Sequence, residues 1–334
     1  ASSKGLPAWK YGFVFSAYEI TMLLGSFLTP KLMELTSSRF CYLGGLGVYL
    51  IFTVCMGSVY WISDGTALLG ICISMFAVGG FAEIVLSIVL LAAITNHFKE
   101  KSGVLISFTD LVWQAANLIG ASLGGVIIDW WAYPLPFYIF GAALLLAFVF
   151  IVRFQDQDDR RNEIFNPSGM NQNAATNYWK LFIDPLFLPC MVTVMMSWAI
   201  SGFNQTTLEP SLRPFQLSHS ETGSIFAVQY SCSMVGSVVA GVSCHFKVET
   251  CYGFIGQIFA ALAYLVLGPA PFIPYERALW MVYLAQVFIG LASASMFACA
   301  YCHALKVVKL RGYPDTIRTK SFVGSSVMAA MVTG

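Results

Sequence analysis

Charge is scarce in this sequence: Asp, Glu, Lys and Arg make up only 10% of its 334 residues, where ordinary soluble domains carry about 25%. Too few charges are present to clothe a water-exposed surface. Eighteen basic against 17 acidic residues leave a net charge of +1. No concentrated basic field exists to neutralise phosphates, which excludes a nucleic-acid partner. The sequence also lacks zinc-ligand spacing, a phosphate-cradling glycine loop, and a Ser, His and Asp set at matched depth. We therefore expect no metal, no cofactor and no enzyme activity.

Apolar residues are present in excess, at 57% against roughly 45–50% in soluble domains. They fall into ten runs, about 11–32, 42–62, 67–94, 103–128, 134–153, 185–206, 222–245, 251–273, 279–305 and 319–334. A helix of about 20 residues crosses a hydrocarbon slab of about 30 Å. The expectation is an all-α, multi-pass integral membrane protein. The first residues, "ASSKGLPAWK", have no starting Met and no signal-peptide layout. The last, "SSVMAAMVTG", stop inside an apolar run, so the chain reads as an internal piece of a longer protein.

Cytoplasmic connections carry an excess of Lys and Arg. Alternate connections hold Lys31 and Arg39; Lys99 and Lys101; Arg153, Arg160, Arg161 and Lys180; Lys247; and Lys306, Lys309, Arg311, Arg318 and Lys320, fourteen in all. The other set, with the N-terminal segment, holds the four residues Lys4, Lys10, Arg213 and Arg277. That count places the first set in the cytoplasm. The long polar connection over 154–180 reads as a flexible cytoplasmic linker. Five runs precede it and five follow. The domain reading is an N-terminal bundle over 1–153, a linker over 154–182 and a C-terminal bundle over 183–334.

This layout resembles the major facilitator superfamily, with two six-helix halves joined by a cytoplasmic loop. On that resemblance about ten of twelve helices are present, family helices two to six and seven to eleven. The first helix, part of the eleventh and the twelfth are missing. Family members carry a Gly-x-x-x-Asp-x-x-Gly-Arg-Lys/Arg signature after helix two. Here "PKLMELTSSR" puts Glu34 at the acidic position and Arg39 at the last basic one, with Pro30, Ser37 and Ser38 as departures. "ANLIGASLGG" resembles the antiporter signature of helix five: Gly120, Gly124 and Gly125 fit, and Ala121 replaces a proline. Three glycines in register also let helices approach closely in any packed bundle.

A sharper likeness is to the vesicular amine and polyamine transporter branch, where helix seven ends in Leu-(Glu/Asp)-Pro-x-Leu. Leu208, Glu209, Pro210, Ser211 and Leu212 match it, and "YWKLFIDP" and "YLVLGPAPFI" also look like that branch. Two positions depart: Met331 stands where monoamine members carry a helix-eleven aspartate, and Phe76 where close relatives carry an arginine. The resemblance implies exchange of protons for a small organic cation, an amine or polyamine, by a single chain in a vesicle, endomembrane or plasma membrane. An intramembrane hydrolase or lipid transferase, or a non-transporting receptor or sensor on the same fold, is the alternative.

Ionisable groups inside apolar runs are functional candidates by default. Glu19, Glu83 and Asp110 are the three. A carboxylate in a low-dielectric cavity can hold a proton or a cationic substrate. It can equally hydrogen-bond a neighbouring helix and lock the bundle. Gln114 and Asn117 follow Asp110 by four and seven residues and share its face. Gln229 and Tyr230 are the candidate matching surface from the other half. Glu209, Pro210 and Arg213 fall at a non-cytoplasmic helix end, where Pro210 marks a break or bend and the pair forms a candidate outer gate.

Three motifs are set aside. "CAYCH" over 299–303 has the spacing of covalent haem attachment, but lies in an apolar run near the wrong, cytoplasmic side. "GLASAS" over 290–295 reads as a close-packing face. "NQT" over 204–206 is a glycosylation sequon abutting a helix end, and is expected to go unused.

Overall fold

In hydrocarbon no water satisfies backbone N–H and C=O groups, so a chain this apolar must pair them within helices. The computed structural model describes residues 8–98, 101–130, 133–158, 178–212, 215–216, 219–268 and 278–334. Ten α-helices account for nearly all of these residues. They are α1 (Ala8–Leu35), α2 (Ser38–Ser58), α3 (Gly65–His97), α4 (Ser102–Trp130), α5 (Pro134–Asp158), α6 (Phe187–Leu212), α7 (His219–His245), α8 (Glu249–Leu267), α9 (Leu279–Leu310) and α10 (Ile317–Thr333). Short 3₁₀ turns cover Val59–Trp61 and Tyr178–Ile183. Among the described residues eight helices are long and apolar enough to cross a membrane. The chain is a multi-pass integral membrane protein.

Several helix ends depart from the apolar runs, and three of them bear on the expectations above. The run expected to reach 273 ends as a helix at Leu267, because Pro269 disfavours the helical region at Gly268, whose φ and ψ are −115° and 100°. α5 continues past the expected linker start to Asp158; residues 159–177 of the linker lie outside the described residues. α6 is not broken at Pro210 but runs on to Leu212. Pro210 cannot donate to the carbonyl four residues back, and only two helical residues follow it, so little helix remains to be disrupted.

The chain divides into two compact units. The first comprises Ala1–Ala93, Gly124–Ala175 and Thr316–Val332; the second comprises Ile94–Leu123, Thr176–Asp315 and Thr333–Gly334. In the first unit a β-carbon at Gly25 would meet Ile84 of α3, and one at Gly79 would lie 2.8 Å from the Phe52 ring of α2. Phe76 is the hub of an aromatic cluster, with ring centroids 5.9 Å from Phe15, 5.8 Å from Tyr18 and 5.7 Å from Phe52. Met331 is buried on α10.

In the second unit α9 is the central helix, buried without interruption from Ala292 to Cys302 and packed against α6, α7 and α8. Small residues make this possible. A β-carbon on Gly256 of α8 would collide with Ser295, and one on Gly290 would collide with the Gln229 carbonyl of α7. The "GLASAS" row is thus a packing face. Cys299 and Cys302 follow it on α9 as buried free thiols.

Candidate functional site

The site grows out of a seam between α4 and α7 in the second unit. A β-carbon on Gly103 would lie 2.9 Å from Cβ of Cys244, and one on Gly241 would lie 3.3 Å from Cβ of Ser107. The two backbones approach through these small residues. One turn further along α4, the Asp110 carboxylate takes their place: Ser237 Oγ donates to its Oδ2 at 2.6 Å and Gln114 Nε2 donates to its Oδ1 at 3.3 Å. Asp110 is 2% exposed, so this one charge is held by neutral donors alone, which a buried carboxylate requires.

Beyond Asp110 the seam opens into a pocket of about 30 Å³, room for one or two waters. Asp110, Gln114 and Asn117 line it from α4, and Gln229, Tyr230 and Ser233 from α7. α6 adds Ser197, Trp198, Ser201 and Gln205, and α9 adds Ser293 and Phe297. Trp198 is the aromatic wall, its ring 5.6 Å from Trp113 and 6.4 Å from Phe297. Gln205 Nε2 donates to the Tyr230 hydroxyl at 3.4 Å. Beneath this rim Asn204 Nδ2 donates to Gln229 at 3.0 Å and to Gln286 at 2.8 Å, while Gln286 Nε2 returns a bond to Asn204 Oδ1 at 3.1 Å. The sequon nitrogen is therefore buried with both hydrogens in use, and cannot carry a glycan.

The other candidates fall elsewhere. Glu83 is half-buried on α3 and Glu19 exposed on α1; both belong to the first unit and neither lines this pocket. Glu34 accepts from Arg318 Nε of α10 at 2.7 Å, an exposed pair worth under about 1 kcal/mol. Arg39 lies in the first turn of α2, where Ser37 accepts from the Phe40 N–H at 3.1 Å as N-cap. Among the described residues a β-carbon on Gly120 would meet nothing within 4 Å. The surroundings of Gly124 and Gly125, the side chains of Glu209 and Pro210, and Arg213 altogether lie outside the described residues.

At the other end of the second unit Glu249, buried in the first turn of α8, pairs with Lys306 of α9, and His303 Nδ1 lies 4.0 Å from the same carboxylate. Asp184 pairs with Arg311 at 2.5 Å, and that bond holds its carboxyl below the usual carboxylate range. Sequence reasoning missed Ser197, Trp198, Ser201, Gln205, Ser233, Ser237, Ser293 and Phe297. The α7 members were legible: Gln229, Ser233 and Ser237 recur every four residues, the same periodic stripe that singles out Asp110 and Gln114.

Residues 2–331 match the family model described as Major Facilitator Superfamily. Two curated relatives carry the name MFS-type transporter SLC18B1. The rat protein is 24% identical over 338 residues, covering 99% of this chain and 71% of its own length; the human protein is 22% identical over 338 residues with the same coverage. A crystal structure titled as the human organic anion transporter MFSD10 (TETRAN) superposes with a TM-score of 0.70 at 16% identity, covering 100% of this chain and 79% of that one. At that identity the likeness is one of fold.

Proposed function

The chain belongs to the Major Facilitator Superfamily and is a secondary transporter rather than an enzyme, and from that premise we propose that it exchanges protons for a small organic cation such as an amine or polyamine. The observation that carries this reading is a single buried carboxylate, Asp110, at the mouth of a pocket otherwise lined by neutral amides, hydroxyls and aromatic rings. An ammonium group supplies the countercharge that Asp110 lacks, and a proton neutralises the carboxylate instead. The two compete for one group, and that competition is the simplest coupling. Trp198 offers a ring face for the cation, while Gln114, Asn117 and Tyr230 give its polar substituents hydrogen-bonding partners.

A pocket of this size admits no organic cation as it stands, so binding requires the helices to part. Alternating access between bundles over 1–153 and 183–334, rocking about a midplane site, provides that movement. One chain is the transporting unit in this reading. The solved human MFSD10 structure is named as that of an organic anion transporter; a pocket whose charge is negative favours the opposite sign.

The full-length protein in proteoliposomes tests the reading. With a pH gradient imposed, labelled tyramine or spermidine is expected to accumulate, and collapse of the gradient to stop it. Asp110→Asn keeps the shape and removes the charge. It is expected to lower coupled uptake by about tenfold or more, the scale of one lost charge-assisted contact, with the amount of inserted protein unchanged. Accumulation of a labelled organic anion instead, or full coupled uptake by Asp110→Asn, overturns it.

A further inference from the structure

Ser237 has one hydroxyl hydrogen and two acceptors within reach. Its Oγ lies 2.6 Å from Asp110 Oδ2 across the seam and 2.9 Å from the Ser233 carbonyl on its own helix. A hydroxyl donates to one acceptor at a time and accepts through its lone pairs. We propose that Ser237 is a positioning residue that transmits the protonation state of Asp110 to the α4–α7 seam, a deepening that rests on Asp110 as the proton site.

With Asp110 ionised, Ser237 gives its hydrogen to Oδ2 and the tie between the helices is charge-assisted. When a proton arrives on Oδ2, the new carboxyl O–H donates to Ser237 Oγ, and the serine hydrogen turns to the Ser233 carbonyl. No other bond forms or breaks. A charge-assisted hydrogen bond is roughly twice as strong as a neutral one, so proton uptake weakens the tie. The weakening falls at the level where the Gly103, Ser107 and Gly241 contacts end and the pocket begins. Proton binding therefore loosens the seam at the edge of the pocket, and proton release tightens it.

The surroundings leave Asp110 as the titrating group. Among the described residues lining the pocket, α6 and α9 contribute hydroxyl, amide and aromatic side chains with no charge. α7 contributes Tyr230 as the one other titratable side chain, with Gln205 donating to its hydroxyl. On α4 the neighbours of Asp110 are the neutral Gln114 and Asn117.

Tryptophan fluorescence of the full-length protein in lipid nanodiscs reads this without any substrate, because Trp113 lies three residues from Asp110 and against Trp198. A pH titration is expected to show a transition that Asp110→Asn removes. Ser237→Ala and Ser237→Val take a donor away from the charged form and are expected to move the midpoint up by about one pH unit, the equivalent of one hydrogen bond to a charged group. Ser237→Thr keeps the hydroxyl and is expected to leave it in place. Ser237→Cys, a weak donor close to serine in shape, is the fallback if Ala and Val fail to insert, and is expected to shift the midpoint upward. Coincident midpoints in wild type and the hydroxyl-free variants, with Asp110→Asn still removing the transition, sink the role of Ser237 and leave the proton site standing. A transition that survives Asp110→Asn, or none in the wild type, removes the proton site and the Ser237 role with it.

Discussion

Asn204 shows how much a single side chain's surroundings decide. As part of "NQT" it reads as a glycan acceptor. In the folded chain it is fully buried and joins three helices through Gln229 and Gln286. Asn204→Ala leaves two glutamine oxygens without their donor, and is expected to lower the unfolding stability of the detergent-solubilised protein by about 1–2 kcal/mol; an unchanged melting temperature would show that the network adds nothing. The polar residues of the pocket divide by how they could be found. Asp110, Gln114 and Asn117 share a face by helical arithmetic and also line one pocket. Ser237 continues the stripe of Gln229 and Ser233, so its face was legible and its partner was not. Its role depends on which neighbour stands 2.6 Å away, and periodicity carries no information about that.

The helices themselves were legible because hydrocarbon leaves an apolar chain little else to form. Their ends were less so, since they depend on backbone chemistry rather than hydropathy. Two ends share one device. After α7, the Val248 N–H bonds to the Ser243 carbonyl and the Lys247 N–H to that of Cys244; after α9, Tyr313 bonds to Val308 and Gly312 to Lys309. Both are Schellman closures, with the left-handed residue at φ 62° in Lys247 and 78° in Gly312. Gly312→Ala puts a β-carbon where L-residues are strained and is expected to cost about 1 kcal/mol, whereas Lys247→Gly relieves the same strain. Thermal unfolding of both variants checks this, and equal losses would refute the account. The Pro210 expectation failed for a related reason. A proline's effect depends on how many helical bonds remain beyond it, and here few do.

At the scale of the whole molecule the distribution of Lys and Arg predicts an orientation. Lys247 and Asp64 occupy connections assigned to opposite sides, and both are exposed. In a background without the nine native cysteines, an impermeant maleimide applied to the cytoplasmic face of sealed membranes is expected to label Lys247→Cys and spare Asp64→Cys. The reverse pattern would invert the topology. Fold and family were within reach of hydropathy, charge count and degenerate signatures. What hydropathy does not carry is side-chain fit, by which α10 falls in the first compact unit and the start of α4 in the second. The size of the pocket has a consequence for affinity. A site with space for one or two waters presents its full complementarity only when the helices part, so any measured dissociation constant is the intrinsic one divided by the fraction of molecules that are open. If that fraction is about 1%, a ligand with micromolar contacts registers near 100 micromolar. Substitutions that ease the opening would then strengthen apparent binding without touching the ligand.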